Sequence, residues 1–187
     1  MKATRLAIPD VILLEPKVFG DARGFFFESY NRRVFRDATG LDPAFVQDNH
    51  SRSAARTLRG LHMQRRKPQA KLVRVIAGEI FDVAVDLRRG SPTFGRSVGV
   101  VLSADNFKQC FIPVGFAHGF CVLTAVAEVE YKCSDFYDPA DEFGIAWNDP
   151  ALAIAWPITD PLLSARDRGN PTLAELGDRL PGLGTDL

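Results

Sequence analysis

The sequence predicts an all-β protein, a sandwich or barrel of short antiparallel strands. Three observations carry this. Apolar and polar residues alternate strictly over short stretches, most clearly Lys71–Ala77 (KLVRVIA) and Ile80–Arg88 (IFDVAVDLR), which is the period of a strand. Turn residues such as Gly78-Glu79 separate these stretches at short intervals. No stretch alternates strand with helix over long distances, and the glycine-rich loops of dinucleotide and P-loop sites are missing, which excludes those α/β arrangements.

Taken in order, Leu6–Leu14 reads as a strand interrupted at Pro9. Gly20-Asp21 and Arg23-Gly24 mark turns, and the aromatic-rich Phe25–Tyr30 is extended. Asn31–Thr39 spaces Val34, Phe35 and Ala38 at helical intervals, and Gly40 stops the helix. Phe45–Ser51, Leu58–Gln64, Ser97–Leu102, Gln109–Ile112, Phe120–Leu123 and Glu128–Phe136 all read as extended. Within Ile80–Arg88, Phe81, Val83, Val85 and Leu87 share one face, and Asp82, Ala84 and Asp86 share the other. Prolines punctuate the tail, Ser164–Gly169 suits a short turn or helix, and 177–187 reads as a loose end.

A chain of 187 residues, 46% hydrophobic, suits a single domain spanning 1–187 with a full core. Lys plus Arg and Asp plus Glu both number 23, so bulk attraction to nucleic acid or an anionic membrane is not expected. Any anion must meet a local cluster of cations. Cys110, Cys121 and Cys133 are odd in number, share no C-x-x-C spacing and sit in apolar runs, so they read as buried free thiols in a reducing compartment. No signal-peptide pattern and no apolar run of spanning length occur, which leads us to expect a soluble, cytoplasmic protein.

Chemistry concentrates in Gln47–Arg74, where His50 and His62 stand among arginines and lysines within strand-like sequence. A lone strand histidine is more often a hydrogen-bonded structural residue. Arg59, Gln64 and Lys71 lie close enough to change that balance: His62 could take a proton from carbon, Lys71 steady the resulting oxyanion, and Arg59 hold a charged substrate. Strict alternation places Arg59 and His62 on opposite faces, so an irregularity is expected at Gly60. Asp82 faces inward and needs a cationic partner, for which Lys71 or His62 qualifies. The segment PVGFAH fits P-x-G-x-x-H, which is similar to the second motif of cupins, where the histidine often binds metal. The first cupin motif needs H-x-H, and this chain has His62-Met63-Gln64, so no catalytic metal is expected and His118 is free to contact an anion. Tyr131 reads as a core phenol or as an acid near an enolate, and Asp167, from its segment alone, as a capping carboxylate.

The stretches GDARGFFFESYN, FVQDNHS, LRGLHMQ, KLVRVIAGEIFDVAVDLRRGSPTFG, IPVGFAHGF, EYKCSDFYDPADE and LLSARD follow one another from about residue 5 to about 170. Together they resemble the dTDP-4-dehydrorhamnose 3,5-epimerases. The resemblance implies a cupin-type jelly roll (a double-stranded β-helix) with few short helices and a site free of metal and cofactor. It implies a homodimer in which residues 1–30 pair with the partner subunit. It implies His62 as base, Asp167 as its orienting partner, Tyr131 as acid and Lys71 as the group beside the enolate oxygen. Arg23, Glu28, Gln47, Asn49, Arg59, His118 and Glu142 would contact the dTDP-sugar, Arg23 and Glu28 in the partner's site. Arg166 stands where the family often has lysine before the aspartate, a cation with a different donor geometry. The implied reaction is epimerisation at C3 and C5 of dTDP-4-dehydro-6-deoxy-D-glucose. A relative acting on only one of the two carbons would need the same base and acid.

Overall fold

Two antiparallel sheets stack face to face, and the residues that alternate inward from each make the central core. The computed structural model describes residues 1–180 and Gly182. One sheet is six-stranded: β1 (Lys2–Arg5), β2 (Ile12–Glu15), β10 (Gln109–Ile112), β7 (Lys71–Ala77), β12 (Val126–Cys133) and β5 (Gln47–Ala54), in that spatial order. The other is five-stranded: β13 (Glu142–Gly144), β6 (Leu58–Gln64), β11 (Phe116–Val122), β8 (Glu79–Asp86) and β9 (Ser97–Ser103). A separate hairpin, β3 (Phe19–Asp21) with β4 (Gly24–Phe26), stands apart from both. The helices are short: α1 (Arg32–Thr39), α2 (Ala165–Arg168) and α3 (Leu173–Leu176). This is the jelly roll that the sequence led us to expect.

Three apolar clusters hold the layers. Val73 and Val129 from the first sheet meet Ile80, Phe116 and Phe120 from the second. The outer face of the first sheet is covered by α1, whose Phe35 packs with Ile12, Leu14, Leu72 and Phe111. The outer face of the second sheet is covered by the C-terminal segment, with Ile145, Leu152, Leu176 and Leu180 against Leu61, Val83 and Val85. The two faces read from Ile80–Arg88 thus serve different cores. Val83, Val85 and Leu87 join the outer cluster, and Ala84 joins the inner one.

Helix α1 follows its sequence signals. Asn31 accepts hydrogen bonds from the backbone N–H groups of Arg33 and Val34, and Gly40 closes the helix at φ 78°. Several expected boundaries moved: Phe45–Ser51 is realised as Gln47–Ala54 and Glu128–Phe136 as Val126–Cys133, and two further differences are larger. Leu6–Leu14 is not one strand: Pro9 and Asp10 sit in the turn of the β1–β2 hairpin, closed by bonds from Leu6 N to Val11 O and from Val11 N to Ile8 O. Ile8 and Val11 are apolar because this turn folds into the central core, and the apolar run disguised it. Strand β11 begins at Phe116, so His118 lies on a strand and not in the preceding turn. At the C-terminus, Gly177–Arg179 form a 3-10 turn and Leu180 is buried. The rest of the stretch expected to be loose, apart from Gly182, lies outside the described residues.

The irregularity expected at Gly60 is present. His118 pairs with His62 and Phe120 with Arg59, so Gly60 and Leu61 together oppose Gly119 alone. A Cβ on Gly60 (φ 122°) would sit 2.6 Å from Gly119 Cα, and one on Gly119 would sit 2.7 Å from the Arg59 carbonyl oxygen. Only two facing glycines allow this approach. Gly60→Ala is expected to destabilise the fold by roughly 2 kcal/mol or more. The urea midpoint checks this, and an unchanged midpoint would show that the wall can relax around a methyl group.

Candidate active site

The bulge at Gly60 turns both Arg59 and His62 into a cavity of about 620 Å³ between the two sheets. Strand β5 contributes Asn49, Ser51 and Ser53 to its wall, β7 contributes Lys71, β11 His118 and Phe120, and β12 Tyr131. The segment from Leu162 to Asp167 closes one side. It is fastened by a bridge between Thr57 and Leu162 and by the cap of α2, where Ser164 Oγ accepts from Asp167 N at 3.0 Å.

Asp167, read locally as a cap, is buried at 4% exposure, and its Oδ1 lies 2.6 Å from His62 Nε2. Burial opposes its ionisation, but hydrogen bonds from the His62 ring and from Ser164 outweigh it and hold the carboxyl below the ordinary aspartate range. An ionised carboxylate only accepts, so His62 donates through Nε2, and in the neutral ring Nδ1 keeps the lone pair. That is the arrangement of an oriented general base.

Lys71 and Tyr131 occupy the opposite wall, the ammonium 5.9 Å from the ring centroid. Burial lowers the Lys71 pKa, partly offset by the charges of Cys133, Glu142 and Asp82. Burial raises the Tyr131 pKa, helped by Cys133 and Glu142, so the phenol keeps its proton at neutral pH. Arg59 is steadied by Ser53, whose Oγ accepts from Nε at 2.9 Å. Its remaining donors are left for an anion. His118 lines the cavity near Tyr131, with ring centroids 6.4 Å apart. Asp82 does not pair with Lys71 or His62, the partners expected from sequence. Its Oδ1 meets His118 Nε2 at 2.7 Å, because Ala84 on β8 lies opposite His118 on β11.

The rim is a chain of polar contacts. Gln47 donates to Asn49 Oδ1 at 2.9 Å and accepts from Tyr137 N at 2.9 Å. Tyr137 donates to Glu142 at 3.0 Å, and Glu142 is also ion-paired with Arg166. Gln47 therefore braces the rim; it is Asn49, Glu142 and Arg166 that line the cavity. Tyr137 and Ser53 were not singled out in the sequence: Ser53 has no periodic or motif signal, and Tyr137 lies within EYKCSDFYDPADE, where only Tyr131 and Glu142 were given roles. Arg23 and Glu28 do not reach this cavity within the chain. Arg23 is exposed on the β3–β4 hairpin and paired with Asp21, and Glu28 accepts from Asn31 Nδ2 at 2.9 Å. The three cysteines are free and buried. Among the described residues, no group of three or more His, Cys, Asp or Glu could hold a metal ion, and no helix is long and apolar enough to cross a membrane.

The family model for dTDP-4-dehydrorhamnose 3,5-epimerase matches residues 5–175. The chain belongs to the dTDP-4-dehydrorhamnose 3,5-epimerase family. The dTDP-4-dehydrorhamnose 3,5-epimerase of Pseudomonas aeruginosa is 64% identical over 176 residues, covering 94% of this chain and 97% of its own. The family enzyme of Legionella pneumophila, solved in complex with dTDP-4-keto-L-rhamnose, superposes with a TM-score of 0.94 at 48% identity, covering 97% of this chain and 98% of that one. ChmJ, a 3'-monoepimerase from Streptomyces bikiniensis solved with dTDP-quinovose, superposes at 0.89 with 38% identity, covering 97% and 93%. Members of the 3,5-epimerase family are isomerases, and this chain is one of them.

The depressed Asp167 pKa fixes a pH dependence. A carboxyl whose folded pKa lies below its unfolded value of about 3.9 stabilises the fold fully above that value and loses its contribution as pH falls through the folded value. Between pH 5 and acid, native stability is expected to fall more steeply than that of Asp167→Asn. Urea midpoints across that range check it, and parallel curves would contradict the pairing with His62.

Proposed function

We propose that the chain epimerises C3 and C5 of dTDP-4-dehydro-6-deoxy-D-glucose, giving dTDP-4-dehydro-L-rhamnose, in the cytoplasm. The observation that carries the reading is one cavity shared by an imidazole backed by a carboxylate, a buried ammonium and a buried phenol. Protons at C3 and C5 are both α to the 4-keto group, so removing either leaves an enolate. His62 takes the proton through Nδ1, and Asp167 supports the imidazolium that forms. Lys71 stands beside the enolate oxygen and stabilises charge that develops only in the transition state. Tyr131, kept protonated by burial, returns a proton to the opposite face of the carbon and inverts it. The steps use only side chains of this protein, and no cofactor is part of the proposal.

Arg59 and His118 hold the diphosphate, and that remote binding fixes the sugar against the base. Asn49, Glu142, Arg166 and the braced Gln47 contact the nucleotide sugar from the rim, where the half-exposed Tyr137 ring offers a stacking face to the base. Arg23 and Glu28 serve the site of a second copy in a homodimer. Phe19, Phe25 and Phe26 support this assembly: three aromatic rings more than half exposed on one hairpin are what a partner surface would cover. Strand β1 pairs with β2 of its own chain and is the edge strand of its sheet, so its outer edge and the hairpin are both available to a second copy.

In deuterated water, the native enzyme is expected to exchange substrate hydrogen at both C3 and C5. Exchange at one carbon alone, as a monoepimerase would give, overturns the double reaction. His62→Ala is expected to lose exchange by about 10²–10⁴-fold with the fold intact. NMR of the sugar together with circular dichroism checks it, and undiminished exchange removes His62 as base. For the dimer, inactive Arg23→Ala and His62→Ala chains, mixed and reassociated, are expected to regain up to about a quarter of native activity, because half the dimers then hold one complete site. A mixture that stays inactive would place Arg23 outside the partner's site.

A further inference from the structure

Asp82 has no part in the reaction proposed above, yet it is a carboxylate at 1% exposure immediately behind the cavity. Burying a charge is costly unless it is paired, and an apolar side chain would fill this place in the core without that cost. Its neighbours are few. Oδ1 contacts His118 Nε2 at 2.7 Å, and Oδ2 has no hydrogen-bond partner among the described residues. The nearby thiol of Cys110, its pKa pushed well up by burial, by the Asp82 charge and by a side-chain hydrogen bond with Asp82, stays protonated; it offers the carboxylate a weak donor but no cation. Of these neighbours, His118 is the one that lines the cavity, and its contact with the carboxylate is the one that reaches the site.

The consequence lies on the other side of the ring. Because Asp82 accepts from Nε2, the nitrogen left for a ligand in the cavity that His118 lines is Nδ1. In a neutral ring that nitrogen is a lone pair, which an incoming diphosphate would repel. To donate to an anion, the ring must take up a second proton. The charged and titratable groups around it set that balance. Asp82 places a carboxylate behind it; Arg59 and Lys71 bring positive charge to the cavity it lines; Arg166 is paired there with Glu142, and His62 and Tyr131 complete the surroundings. A diphosphate placed against Arg59 offsets that positive charge.

We propose that Asp82 is a positioning residue: it fixes His118 with Nδ1 facing the cavity and makes that ring take up a proton as it binds the diphosphate of the substrate. The proposal rests on the reading of the cavity as a nucleotide-sugar site and assigns a linked proton to it. The proton comes from solvent and returns there on release, so no bond to the substrate is made or broken.

Calorimetry of dTDP binding near pH 7, in two buffers of different ionisation enthalpy, tests it. The native chain is expected to take up a proton, and His118→Ala to take up none. Asp82→Asn is expected to lose the uptake, to weaken dTDP binding about tenfold, and to raise KM far more than it lowers kcat. In a His118→Ala background, Asp82→Asn is expected to add no further loss of affinity. Binding without proton uptake by the native chain overturns the inference alone, as do additive losses or a fall in kcat with dTDP affinity intact. A native chain that does not bind dTDP overturns the nucleotide-sugar reading, and this inference with it. Should Asp82→Asn fail to fold, ¹⁵N NMR of the native histidines decides: protonated Nε2 without dTDP and both nitrogens protonated with it are expected, and a His118 ring protonated only at Nδ1 overturns the proposal.

Discussion

Strands β6 and β11 cross at two glycines, Gly60 and Gly119, with no room for a methyl group on either. The geometry of the cavity depends on that crossing. In regular pairing, side chains three positions apart point to opposite faces of a strand. Arg59 would then face the outer core when His62 faces inward. The extra residue in β6 shifts the register and brings the guanidinium and the imidazole to the same side. Leu61, the residue displaced by the shift, packs outward with Met63 and Ile145 at 0% exposure, so the bulge also joins two cores. One backbone irregularity thus serves packing on one face and chemistry on the other.

The charges follow from where the sheets put them. Each of the two inward histidines, His62 and His118, is backed by a buried carboxylate, and they lie opposite each other on neighbouring strands. The carboxylates come from different sides. Asp167 arrives on a capped turn after the last strand, and Asp82 from the strand behind. That difference separates two tasks in a space of about 620 Å³. In the proposed reaction, the ring backed from the C-terminal segment serves the sugar, and the ring backed from within the sheet serves the phosphates.

How much of this was legible in the sequence depended on whether the signal was local. The bounds of β6, β7 and β10 could be read to the residue, because alternation and flanking turn residues act within a few positions. The bulge was legible for the same reason: a parity conflict between Arg59 and His62 met a glycine between them. The β1–β2 turn was not, since Ile8 and Val11 are apolar for a tertiary reason. Nor was the partner of Asp82, which is fixed by the register of β8 against β11 and not by spacing. Tyr137 escaped notice because its place depends on Gln47, ninety positions away, accepting from its backbone N–H. Asp167 looked like a cap and is one by its backbone, while its side chain reaches His62, 105 positions away.

The cations of the cavity are not equivalent, and the difference bears on catalysis. Arg166 is neutralised by Glu142, Arg59 leans on the neutral hydroxyl of Ser53, and Lys71 makes no hydrogen bond or ion pair among the described residues. Burial lowers the Lys71 pKa. A diphosphate entering the same low-dielectric space favours the charged form of every nearby base, Lys71 among them. With Lys71 at the ketone, as proposed, binding the far end of the substrate strengthens the positive charge where the enolate would form. The phosphates then do more than anchor the sugar: their charge helps keep the ammonium protonated for the transition state, which is how binding remote from the reacting carbon becomes rate.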